Sequence, residues 1–121
     1  MTNVGLIVSG GYRDDNKQFS HHDIDKYEID ESLQAVVCGY DSDISYYKIF
    51  YASEVVRRTG KFFGTNYDTR VKIHDKYIPG SYTIISSIET CSETKAEIVT
   101  KPDSRSFEIL NNDHGITKDK T

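Results

Sequence analysis

The sequence has no tryptophan and one methionine, and no apolar run in it nears the roughly 20 residues that a membrane-spanning helix requires. Met1 leads straight into polar sequence rather than a signal peptide, so the expectation is a soluble, cytoplasmic chain. Cysteine is scarce as well. Cys38 and Cys91 lie far apart and form no CxxC pair, which excludes zinc-ligand spacing and a disulfide framework and leaves two reduced thiols. Net charge is −4, and no Lys/Arg cluster alternates with aromatic residues. The attraction that supplies most nucleic-acid affinity is therefore missing, and nucleic acid is set aside as a partner.

What is present suits one modest core. The chain has 121 residues, of which 36% are hydrophobic and 28% charged, in the range of a single domain. Its apolar supply leans on nine tyrosines and five phenylalanines, so much of the burial must come from rings that also want a polar partner.

A mildly apolar start, Thr2 to Val8, gives way at Gly10-Gly11 to a polar stretch from Arg13 to Glu31, which reads as a solvated excursion. His21, His22, Asp23 and Asp25 fall there, but adjacent residues do not easily converge on one ion. Order begins at Leu33, where Ala35-Val36-Val37-Cys38-Gly39-Tyr40 is a continuous apolar, β-rich run of the kind found in strands buried on both faces. Asp43 or Ser45 can cap a helix from Tyr46, Gly60 can end it, and Ile49, Ala52, Val55 and Val56 share one of its faces. A second strand is expected over Lys61 to Thr65. The polar stretch from Asn66 to Gly80 is too long for a plain turn and is a candidate functional loop. Ile84, Ile85 and Ile88 recur at helical spacing, Ala96 to Val99 fits a third strand, and a last helix after Pro102 carries Phe107 and Leu110. Alternation of this kind predicts a small layered α/β fold with a mainly parallel sheet.

Three short patterns could carry chemistry. Asp41-Ser42-Asp43 follows the first strand, Thr65-Asn66 the second and Lys101-Pro102 the third. The pair resembles the two aspartates of a haloacid-dehalogenase phosphatase, a resemblance that implies one to attack phosphorus and the other, two residues on, to protonate the leaving oxygen. Together the three mimic the first motifs of the haloacid-dehalogenase phosphatases. The mimicry fails in detail: Ile44 and Ser45 follow the aspartates where a small residue and then Thr or Val are usual, and no acidic metal-binding pair follows Lys101.

A longer resemblance accounts for the same residues differently. Leu33 to Asp41, Tyr46-Tyr47-Lys48, Tyr51-Ala52 and Phe63-Gly64-Thr65-Asn66-Tyr67-Asp68 resemble the cap of 4-nitrophenylphosphatase, pyridoxal phosphatase and phosphoglycolate phosphatase relatives. Pro79-Gly80, Ile88-Glu89-Thr90, Lys101-Pro102, Phe107 and His114-Gly115 continue it in order. The resemblance implies a cap domain over residues 1–99 and the start of a return segment to the catalytic core over 100–121. It also implies that Asp41-Ser42-Asp43 belongs to the cap, that the nucleophile lies outside this chain, and that Lys101 is the core's catalytic lysine. Asn66, Asp68, Thr69 and Arg70 fall in the substrate-specificity loop, with Asn66 and Asp68 shaping it and Arg70 offering a fork to an acidic group. The complete enzyme would be a Mg2+-dependent hydrolase of small phosphomonoesters, with the metal ligands outside this chain and room for a homodimer through the cap. Alone, the chain would be inactive, and the last segment, Lys101 to Thr121, would be loosely tied. A non-catalytic interaction module that keeps the cap fold is the alternative. Two departures stand out: Thr69-Arg70-Val71 where animal relatives have Pro, an aromatic and His, and Tyr82 where relatives have a second glycine.

Overall fold

The computed structural model describes residues 14–99. The expected strand at the third motif is included. Lys101, Pro102 and the helix expected to carry Phe107 and Leu110 lie outside the described residues, as does the stretch from Thr2 to Val8.

Among the described residues, five strands and two α-helices follow in order: β1 (Val36–Cys38), α1 (Tyr46–Thr59), β2 (Phe62–Gly64), β3 (Arg70–Ile73), β4 (Lys76–Pro79), α2 (Ser81–Ser92) and β5 (Glu97–Ile98). Strands β1, β2 and β5 form a parallel sheet in that order, with Val36 opposite Phe62, Cys38 opposite Gly64, and Gly64 opposite Ile98. The α/β class with a parallel sheet is therefore as expected. Strands β3 and β4 form a separate antiparallel hairpin within the stretch that the sequence suggested was a long loop.

Local chemistry explains the helix bounds. The Ser45 hydroxyl accepts a hydrogen bond from the Lys48 N–H at 3.2 Å, which satisfies one of the first-turn donors of α1. Gly60 closes the helix at φ 69, a left-handed conformation that costs glycine little, and its N–H bonds to the Val56 carbonyl. Helices α1 and α2 pack on each other and on the sheet. Val56, Ile84, Ile85 and Ile88 meet Cys38, Phe62 and Ile98 in the core, with Ile49 and Ala52 at its margin.

One expectation is corrected here. Among the described residues, the apolar run at β1 is covered on one face only: Cys38 is buried, whereas Val37 is 75% exposed. Val37, Phe63 and Glu97 form a row on the other face of the sheet, which no described helix covers. The polar stretch before β1 is also more than a solvated excursion. A 3-10 helix spans His21–Lys26, and Phe19 packs against Tyr46 (4.9 Å), Phe50 (5.2 Å) and Tyr27 (5.6 Å). The Arg58 guanidinium clamps its end by donating to the carbonyls of Glu31 (2.9 Å) and Leu33 (2.5 Å). Among the described residues, no helix is long and apolar enough to cross a membrane.

Candidate substrate-loop site

The loop leaving β2 is built from short-range polar bonds. The Asn66 side-chain oxygen accepts from the Asp68 N–H at 2.9 Å, a turn closed by a side chain in place of a backbone carbonyl. The Asp68 carbonyl accepts from the Tyr82 N–H (2.9 Å), and the Thr69 carbonyl from the Gly80 N–H (3.0 Å). These bonds sew the loop to the first turn of α2. Gly80 permits the approach: a Cβ there would stand 2.2 Å from the Asp68 carbonyl oxygen, closer than any side chain tolerates. Of the residues expected to meet substrate, Asn66 is half-buried, while Asp68, Thr69 and Arg70 are exposed together at the mouth of the hairpin.

The Arg70 guanidinium lies over the Tyr77 ring at 4.1 Å, and the Lys72 ammonium at 5.9 Å from the same ring. Register places Arg70, Lys72, Tyr77 and Pro79 on one face of the hairpin and Val71, Ile73, Lys76 and Ile78 on the other. The first face presents two cations stacked on an aromatic ring. Stacking holds the guanidinium plane without consuming its N–H donors, so the fork that recognises a carboxylate or phosphate remains free.

Three residues at the loop, Tyr67, Tyr82 and Glu89, received no site role from the sequence. Tyr67, two-thirds exposed at 65%, leans on the Tyr82 ring with centroids 5.6 Å apart. The Tyr82 hydroxyl donates to one oxygen of the buried Glu89 carboxylate at 2.8 Å, and the Ala96 N–H donates to the other at 2.8 Å. That hydrogen bond to Glu89, with lesser help from burial and from the charge of Glu89, raises the Tyr82 hydroxyl above its ordinary pKa. A signal for the pair existed, because Tyr82 and Glu89 are seven residues apart and so share a helix face.

Asp41-Ser42-Asp43 sits at the end of β1, ahead of the Ser45 cap. One Asp41 oxygen accepts from the Asp43 N–H (2.8 Å) and the other from the Lys48 ammonium (2.8 Å), which also reaches Asp15. Burial pushes the Asp41 carboxyl up, but the bonds from Lys48 and from the Asp43 N–H outweigh it and hold the group below its ordinary range. Asp15, Asp41 and Asp43 bring three carboxylates near one another, the one such grouping among the described residues. The set does not fit Mg2+. That ion demands near-octahedral oxygen ligation at about 2.1 Å, and here the buried Lys48 ammonium already stands between Asp15 and Asp41. The neighbouring Cys38 thiol is pushed up to about 11 by burial, and then by the charge of Asp41, so it is a poor nucleophile.

The chain is homologous to a segment of haloacid-dehalogenase-like phosphatases. It is 27% identical to human glycerol-3-phosphate phosphatase over 95 residues, which are 77% of this chain and 30% of that protein. It is 32% identical to the acid sugar phosphatase of Staphylococcus epidermidis over 85 residues, 67% of this chain and 33% of that protein. Among solved structures, a variant of the thermostable p-nitrophenylphosphatase from Bacillus stearothermophilus superposes with a TM-score of 0.60 at 27% identity. That match covers 73% of this chain and 34% of the other. The chain thus spans about a third of the length of the relatives it matches. No family model matches it.

Proposed function

We propose that the chain is the substrate-specificity cap of a phosphomonoester hydrolase, with turnover supplied by residues outside it. The observation that carries this reading is the Asn66–Arg70 loop, tied down on its backbone side and open on its side-chain side. Such a loop, with its hairpin, suits closure over a small phosphate ester and exclusion of water from the reaction. Arg70 would meet an acidic group on the substrate. Asn66 and Asp68 position the loop, and Thr69 lines it. Lys101 would offset charge on the nucleophile and the transferring phosphoryl group in the complete enzyme. Any Mg2+ of that enzyme would be held by residues outside this chain. Assembly as a homodimer through the cap, and a division at residue 99 between cap and return segment, belong to the same reading.

Two experiments test it. The purified chain is expected to show no Mg2+-dependent hydrolysis of 4-nitrophenyl phosphate; turnover abolished by Asp41→Asn would overturn the reading and install Asp41 as the nucleophile. Replacing the matching segment of a p-nitrophenylphosphatase with residues 33–99 is expected to give a chimera that folds, hydrolyses phosphate esters and shows altered substrate preference. A folded chimera whose preferences equal the parent's would count against a specificity role for the loop.

A further inference from the structure

The loop's polar groups are largely committed to its own shape. The Asn66 side-chain oxygen holds the Asp68 N–H, and the carbonyls of Asp68 and Thr69 hold the N–H groups of Tyr82 and Gly80. What the loop presents outward between Asn66 and Asp68 is a ring, Tyr67, 65% exposed. An exposed ring on a loop normally samples several rotamers. This one has a backing. The Tyr82 ring lies behind it, 5.6 Å between centroids at 49°. Tyr82 is itself fixed at two points, its N–H on the Asp68 carbonyl and its hydroxyl on Glu89, 2.8 Å away. Glu89, 7% exposed, is fixed in turn by the Ala96 N–H at the entry to β5. The chain of contacts runs from the loop through α2 to the sheet, so the orientation of the Tyr67 ring is set by the core.

We propose that Tyr67, braced by Tyr82, is the specificity-determining side chain of the loop and selects phosphate esters whose leaving group is a flat aromatic ring. The inference rests on the reading of the chain as a phosphatase cap. A braced ring gives a planar group a stacking partner with little ordering cost, whereas a short polyol gains nothing comparable from it. Arg70, three residues on, is the cation near enough in sequence to serve an acidic group on the same ligand. Tyr82 and Glu89 are positioning residues and touch no substrate.

The test is a titration of the full chain, followed by backbone and tyrosine-ring NMR, with 4-nitrophenyl phosphate and with glycerol 3-phosphate. The aromatic ester is expected to bind roughly three- to tenfold tighter, the size of one ring-stacking contact, and to shift the Asn66–Arg70 resonances. Tyr67→Ala should erase the difference by weakening the aromatic ester alone, and Tyr67→Phe should keep it. Tyr82→Phe, which keeps the ring and loses the bond to Glu89, should leave glycerol 3-phosphate unaffected and weaken the aromatic ester by less than Tyr67→Ala does. Tyr67 is exposed, so its variants should keep the amide spectrum of the parent. Equal affinities in the parent, absence of loop shifts with either ester, or a preference that survives Tyr67→Ala would each overturn the inference. None of these outcomes bears on the chimera, which separately decides the phosphatase reading.

Discussion

Lys48 shows how one side chain can join distant parts of the chain. Its ammonium is buried and bonds to Asp41 just past β1 and to Asp15, 33 residues before it in the sequence. Burial lowers the pKa of Lys48, but its bonds to Asp15 and Asp41 more than compensate and raise it. The signs are opposite for the two partners. The depressed Asp41 value contributes stability that is present above the unfolded value of 3.8 and is lost as pH falls through the lower folded value. The raised Lys48 value contributes stability that is present below the unfolded value of 10.5 and is lost as pH rises through the higher folded one. Lys48→Met is therefore expected to cost about 1–3 kcal/mol near neutral pH, less than a fully buried pair because each carboxylate keeps some contact with water. In urea titrations the deficit should be widest between about pH 5 and 9 and shrink on both sides. A deficit that is flat across pH would mean that Lys48 acts through packing alone. This contact was not legible in the sequence, since nothing local joins Asp15 to Lys48.

Elements defined by short-range chemistry were the legible ones. Helix α1 begins at Tyr46 and ends at Thr59 as its Ser45 and Gly60 signals require, and the Ile49, Ala52, Val55 and Val56 stripe faces inward. The Asn66–Asp68 turn was legible for the same reason, its bond spanning two residues. The β3–β4 hairpin was not. Its residues alternate, but Val71 (39%) and Ile73 (48%) are exposed on one face and Tyr77 (54%) on the other, so no buried face marks the period. Its turn pair, His74-Asp75, also lacks the Asn-Gly or Asp-Gly sequence that signals a tight hairpin. His74 carries φ 56, a conformation that glycine adopts without penalty. His74→Gly is accordingly expected to stabilise the hairpin by up to about 1 kcal/mol. Slower amide exchange at Arg70–Ile73 and Lys76–Pro79 would register it, with no change in the core strands. Faster exchange would show that the His74 side chain supports the turn.

At the scale of the whole fold, the sheet is a partition that the described residues furnish on one side. Ile85 is fully buried against it, and Val37 stands on the other side at 75% exposure. Ile85→Ala should cost about 2–5 kcal/mol and Val37→Thr less than about 0.5. Comparable losses in thermal denaturation would mean that the open face is covered in solution. The expectation of a strand buried on both faces failed here because a continuous apolar run records burial in whatever assembly the sequence serves, and the described residues cover one face only. The linkage of Tyr67 to Tyr82 and Glu89 was not legible for a related reason: aromatic and acidic residues on a helix are common, and only the fold brings Tyr82 and Glu89 behind the loop that carries Tyr67.

Among the described residues β1 stands at the rim of the sheet, and that position has a further consequence, for solution behaviour. Residues 35–40, Ala-Val-Val-Cys-Gly-Tyr, carry no charge and no proline, and in the native state the short rim strand and the paired helices keep them from stacking with their copies. Partial melting removes the helices and leaves a segment suited to cross-β growth. Warming just short of the unfolding midpoint is therefore expected to seed fibrils that bind thioflavin T, and Val37→Lys should suppress them while leaving the midpoint nearly unchanged. The same exposed position that tolerates substitution in the folded protein is thus where a single charge would act as a gatekeeper against self-association.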